Sequence, residues 1–148
     1  MSDIEILQKL RLETGAGVMD CKKALADAGG DFDRAVVLIH ERGAVKVEKR
    51  ADRATGAGLV KSYVHNERIG VILDLRAETD FVVRSDPFQK LAQELVMQIA
   101  AAAPANPDEL MAQPYIRDES KTVADLVKDV IARVGENIRV NAFARLEV

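Results

Sequence analysis

An acid and an aromatic stand side by side in the run Glu78-Thr79-Asp80-Phe81-Val82. The run ends an apolar, strand-like segment and precedes a helix expected to start near Asp86-Pro87. A charge at such a reversal is poorly suited to a core, because burying it unpaired is costly. It is well suited to a tool: Asp80 and Phe81 together can push into a partner's charged, partly apolar site. Five residues recur by chance, so the weight of the run comes from what surrounds it.

Few other residues have the types and spacing that chemistry needs. His40 and His65 fall in different expected domains, one at a helix end and one at a strand end beside a turn, where surface or capping roles are the simpler reading. Cys21 has no nearby histidine to activate it, so a packed or surface thiol is expected rather than a nucleophile. Cys-x-x-Cys, His-x-x-x-His and a Gly-rich phosphate loop are absent from the sequence. Gly15-Ala16-Gly17 is half of a dinucleotide fingerprint, but no strand precedes it. The carboxylates are unpaired in sequence. No catalytic residue, metal site or cofactor is expected, and turnover of a small substrate is not the reading.

The elements that must hold the Glu78–Val82 run divide into two groups. The first is a small helical bundle. Asp3 is expected to cap a helix with Ile6, Leu7 and Leu10 inward, and Thr14-Gly15-Ala16-Gly17 breaks it. A second helix from about Val18 to Ala28 turns Ala24, Leu25 and Ala28 inward and stops at Gly29-Gly30. Asp31 caps a third, with Phe32, Ala35, Val36 and Ile39 at helical spacing, ending near Gly43. Lys46, Lys49, Arg50 and Arg53 then mark a solvated helical linker, and Thr55-Gly56-Ala57-Gly58 a flexible joint. This places a domain over 1–54 and a second over 55–148.

The second group mixes strands and helices. Leu59 to His65 reads as a strand, Asn66-Glu67 as a hairpin turn, and Ile69, Val71, Leu73 and Leu75 as one face of the return strand. Pro87 sits at a first-turn position of a helix burying Phe88, Leu91, Leu95 and Ile99. The chain from Leu110 to Asp118 reads as irregular. Thr122 opens a helix with Val123, Leu126, Val127, Val130, Ile131 and Val134 inward, closed by Gly135. Ile138, Val140, Ala142, Ala144 and Leu146 alternate as a last strand, with Phe143 on the opposite face. The fold class is α+β: a three-helix bundle, then a small antiparallel three-stranded sheet with helices on one face.

Composition bounds the function. The 148 residues carry a net charge of -3, which argues against a general nucleic-acid binder. No apolar run approaches the roughly 20 residues of a membrane span. The acidic start Met1-Ser2-Asp3-Ile4-Glu5 lacks the regions of a signal peptide, and one cysteine makes no internal disulfide, so a cytoplasmic location is expected.

Several segments together match one family. Thr14-Gly15-Ala16-Gly17-Val18-Met19-Asp20-Cys21-Lys22-Lys23-Ala24-Leu25, Ser62-Tyr63-Val64-His65 with Arg68-Ile69-Gly70-Val71, the Glu78–Val82 run, Gln113-Pro114-Tyr115-Ile116 and Gly135-Glu136-Asn137-Ile138 occur in that family's order over nearly the whole chain. The chain resembles elongation factor Ts, the guanine-nucleotide exchange factors of elongation factor Tu. The resemblance implies a ubiquitin-associated-like bundle followed by an antiparallel sheet with helices. It also implies binding to Tu·GDP, faster GDP release and entry of GTP. Thr79, Asp80, Phe81 and Val82 match the motif that inserts beside the nucleotide-bound magnesium of Tu. Gly15, Val18 and Met19, with Lys23, match the surface that docks on its G domain. The run continues as Val83-Arg84-Ser85, where family members commonly have Ala, then Arg or Lys, then Asn, and Val83 is expected to add bulk near Phe81. Many members are longer, and a homodimer joining two short sheets, with Phe143 at the interface, is expected to supply the missing surface. Two other readings stay open: a ubiquitin-associated-like module docking on some other protein, and an RNA-binding helper using Lys46 to Arg53.

Overall fold

Ser2, rather than Asp3, opens the first helix. In the computed structural model, which describes residues 2–148, the Ser2 hydroxyl accepts from the Glu5 amide at 3.3 Å and the Glu5 carboxylate accepts from the Ser2 amide at 2.8 Å. This reciprocal box satisfies two amides that the helix start leaves free. It begins α1 (Asp3–Thr14), followed by α2 (Val18–Asp27) and α3 (Phe32–Arg50). Leu10, Cys21, Ala24, Ala28 and Ala35 form the buried centre of the bundle, with Leu7, Leu25, Phe32 and Ile39 packed around it. Small residues at this centre let short helices approach closely. Cys21 is a packed thiol, 3.8 Å from the Ala16 carbonyl.

The third helix does not end near Gly43. Asp31 caps it, accepting from the Arg34 amide at 3.1 Å, and it then runs to Arg50. A lone glycine costs about 1 kcal/mol against alanine, and the following Ala44, Lys46, Glu48 and Lys49 are helix formers. The expected linker helix is therefore the continuation of α3. The chain divides into one compact unit up to Lys49 and a second from Arg50 to Val148. The Thr55–Gly58 stretch lies within the second, where Ala57 and Gly58 already pair with Ala77 and Arg76.

The second unit contains, in chain order, β1 (Ala57–His65), β2 (Ile69–Ala77), α4 (Asp80–Val83), α5 (Asp86–Ala102), α6 (Pro107–Ala112), β3 (Pro114–Tyr115), β4 (Asp118–Thr122), α7 (Val123–Val134) and β5 (Ile138–Glu147). The main sheet has the order β1-β2-β5 and is antiparallel throughout. Asn66 and Glu67 take φ of 50° and 58°, left-handed at both central residues of a turn that the Arg68 amide closes on the His65 carbonyl at 3.0 Å. Val71, Leu73, Leu75 and Ala77 are buried on one face of β2, the face over which α5 packs. Phe88, Leu91, Leu95 and Ile99 are buried on α5, as the spacing predicts, and α5 also packs on α7. Thr122 and Asp125 form a second capping box at the start of α7. The Thr122 amide and hydroxyl hold the Asp125 carboxyl below the usual carboxylate range.

Two features depart from the sequence reading. The irregular stretch after Leu110 contains the second sheet, β3 paired with β4. Buried polar side chains on α5 hold it: the Glu94 carboxylate accepts from the Tyr115 hydroxyl at 2.6 Å and pairs with Arg117 at 2.6 Å. The Gln98 amide donates to the Pro114 carbonyl at 3.2 Å and accepts from the Ile116 amide at 2.9 Å. Burial, with the Glu94 contact second, pushes the Tyr115 hydroxyl up to about 12. Second, β5 carries a bulge. Asp74 pairs with Ala142 and Leu75 with Val140, leaving Asn141 as the extra residue, whose side chain donates to Asp74 at 2.9 Å. One inserted residue reverses the alternation. Phe143 therefore pairs with Leu73 and shares the helix-covered face with Ile138 and Val140, not the opposite one. The outward face carries Val60, Val64, Ile72 and Leu146, all exposed.

Candidate functional site

The Glu78–Val82 run is partly helical. Asp80–Val83 forms α4, a single helical turn with Thr79 as its N-cap. The Thr79 hydroxyl accepts from the Val82 amide at 3.4 Å, and the Thr79 carbonyl accepts from the Val83 amide at 3.2 Å. The turn is anchored from below, since Val82 and Val83 are buried. Ser85 donates its hydroxyl to the Val82 carbonyl at 2.6 Å and the Gln89 amide donates to the Val83 carbonyl at 2.7 Å. What the turn presents is Asp80 and Phe81. Phe81 is 86% exposed, in a chain whose aromatic content is only 4%. No ion pair among the described residues engages Asp80. Val83 departs from the expectation of added bulk near Phe81, because it points into the core while Phe81 points out.

Residues distant in sequence support this tip. Gly135 ends α7 with φ 78°, a left-handed cap that turns the chain back toward β2. The next residue, Glu136, accepts from the Thr79 amide at 2.9 Å with one oxygen and from the Thr79 hydroxyl at 2.7 Å with the other. Asn137 donates its amide to the Glu78 carboxylate at 2.6 Å. Its side chain donates to the Ala51 and Arg53 carbonyls at 3.3 and 2.9 Å. The sequence reading gave Gly135 as the helix stop, but flagged Glu136-Asn137 only as part of a family pattern, with no role for either.

The second predicted patch lies in the helical unit. Gly15 caps α1 with φ 70° and Gly17 starts α2, so the connection between the helices is tight. Val18 and Met19 follow it, 42% and 72% exposed. With Ile4, Leu7, Lys22 and Leu25 they line an open, largely apolar groove of about 690 Å³. Gly15 and Lys23 are not in its wall, and Lys22 is. Thus two of the four predicted docking residues share the groove, while Gly15 shapes its approach and Lys23 is exposed elsewhere on α2.

Among the described residues no group of three or more His, Cys, Asp or Glu is placed to hold a metal ion. Among the described residues no helix is long and apolar enough to cross a membrane. The arrangement offers two exposed features, one a buttressed acidic-aromatic point and the other an apolar groove.

Comparison with known proteins agrees with the resemblance. A family model described as Elongation factor TS matches residues 78–148. Elongation factor Ts of Thermotoga neapolitana is 40% identical over 189 residues, covering 98% of this chain and 96% of the relative. Elongation factor Ts of Coprothermobacter proteolyticus is 37% identical over 186 residues, covering 95% and 94%. The chloroplastic polyprotein of EF-Ts of Oryza sativa subsp. indica is 36% identical over 95% of this chain and 17% of its own length. Each of these alignments is longer than the 148 residues of the chain, so each relative carries positions with no counterpart here.

Proposed function

From the premise that this chain belongs to the elongation factor Ts family, we propose that it is a guanine-nucleotide exchange factor for elongation factor Tu. It binds Tu·GDP, promotes GDP release and lets GTP enter. The observation that carries this reading is the α4 tip, with Phe81 86% exposed on a turn whose underside is packed into the core. Such a protein performs no covalent chemistry. GDP is held by backbone amides and a magnesium ion around its phosphates. Exchange requires only that the nucleotide-free partner be bound more tightly than the GDP-bound one. Phe81 supplies a rigid apolar wedge between elements that must separate, in the manner of a buried aromatic anchor at an interface. Asp80 competes for hydrogen bonds near the magnesium and repels its ligands. Val18 and Met19 dock on the G domain through the α1–α2 groove, giving affinity without touching the nucleotide.

The test is release of a fluorescent GDP from elongation factor Tu at fixed magnesium. The native chain accelerates release. Asp80→Ala with Phe81→Ala removes the acceleration while the melting temperature stays unchanged. A folded double variant that still accelerates release would overturn the assignment of the tip. Binding to Tu without acceleration by the native chain would favour the plain docking module, which the groove alone supports.

A homodimer completes the proposal. Val60, Val64, Ile72 and Leu146 leave the outward sheet face aliphatic and open, and Asp74, Arg76 and Arg139 at one end supply both charges to an antiparallel copy. Light scattering should give twice the mass of the 16.2 kDa chain. Ile72→Asp should return it to a monomer.

A further inference from the structure

A one-turn helix has almost no stability of its own. Nucleation costs more than a single turn of hydrogen bonds returns, so α4 depends on what closes its ends. Its C-terminal side is held by Ser85 and Gln89, which are close in sequence. Its N-terminal side is held from the other end of the unit. The Glu136 carboxylate uses both oxygens on Thr79, one on the amide at 2.9 Å and one on the hydroxyl at 2.7 Å. A hydroxyl has one proton. Once that proton is given to Glu136, the Thr79 oxygen is oriented to accept from the Val82 amide, so the clasp and the cap reinforce each other.

We propose that Glu136 is a positioning residue for nucleotide exchange, clasping Thr79 so that α4 presents Asp80 and Phe81 already ordered. This rests on the exchange reading above and assigns a role to a residue that acts through Thr79. The neighbouring bond from the Asn137 amide to Glu78, 2.6 Å long, keeps the two strands of chain in register, so the clasp cannot slide. Charge-assisted bonds of this kind are about twice as strong as neutral ones. Without them, ordering of the tip is shifted to the moment of binding and subtracts from it. The fold itself does not need the clasp, because Val82 and Val83 still enter the core.

Three variants test this by fluorescent GDP release against increasing concentrations of the chain, with melting followed in parallel. Glu136→Ala should lower the exchange efficiency about tenfold with little change in melting. Glu136→Gln keeps one acceptor and should recover part of the loss. On a Thr79→Ala background, Glu136→Ala should add less than it costs alone, because the hydroxyl partner is already gone and only the bond to the residue 79 amide remains to be lost. Amide exchange at Val82, Val83 and Arg84 should quicken in Glu136→Ala while the β2 amides keep their protection.

Native exchange rates in Glu136→Ala, or a full additional loss on the Thr79→Ala background, would overturn the proposal. Asp80→Ala with Phe81→Ala separates the two levels. If that variant loses exchange and Glu136→Ala does not, only the clasp is wrong. If that variant keeps exchange, the reading on which the clasp rests has failed with it.

Discussion

The α4 tip and the α1–α2 groove, the two surfaces proposed to meet a partner, are built by opposite means. The groove is local. Its residues come from two consecutive helices joined by Gly15-Ala16-Gly17 and from Gly29-Gly30 just after the second, and its shape follows once those helices form. The tip is non-local. Its four residues would not hold a turn alone, and they are fixed by Glu136, more than fifty positions away, and by two valines in the core. The difference separates two tasks. A groove that only docks can adjust to its partner, whereas a wedge that must force apart elements of another protein has to be stiff before contact.

That division gives measurable expectations. The largest concerns which kinetic parameter each region controls. Val18→Asp with Met19→Asp should raise the half-saturating concentration of the chain by at least tenfold, since a charge on an apolar docking face loses both burial and fit. The maximal rate of GDP release should be retained. Phe81→Ala should do the reverse, lowering the maximal rate. Identical effects on both parameters from both variants would break the comparison.

A smaller effect sharpens it. Gly15 and Gly135 are both left-handed helix caps, with φ of 70° and 78°. Alanine at either should cost about 1 kcal/mol of stability, seen as a lower denaturation midpoint. Only Gly135→Ala should also slow exchange at saturation, because only Gly135 sets the direction in which Glu136 leaves its helix. Gly15→Ala should act through binding alone. Equal losses of maximal rate would mean that the groove is as stiff as the tip.

Much of the architecture was legible from residues close together in sequence. Asn66-Glu67 sits between two alternating apolar runs and adopts the turn such a pair supports. Thr122 with Asp125 announces a helix, and Gly135 ends it. Phe88, Leu91, Leu95 and Ile99 mark a buried face by spacing alone. The chemistry-bearing pair Asp80 and Phe81 was equally visible, as an acid and an aromatic where a core has no use for them.

Other features were not. Asn141 looks like one more polar position in an alternating strand, and only pairing with β2 makes it a bulge that turns Phe143 inward. Glu94 and Gln98 carry no signal of burial in their residue types, and are buried because the β3–β4 hairpin folds over them and takes their hydrogen bonds. Gly43 reads as a stop, but a single glycine is too weak to end a helix whose flanks favour it.

By itself, then, the sequence determined the longer helices and the three strands of the main sheet, their order, the core-facing residues of α5 and β2, and the exposed Asp80–Phe81 pair, because these depend on periodicity, caps and turns that act within a few residues. Tertiary structure alone decided that the exposed point is a helical turn, which face of the sheet Phe143 occupies, and that Glu136 grips Thr79. Those outcomes need hydrogen bonds and packing between segments that meet only after the chain has closed on itself.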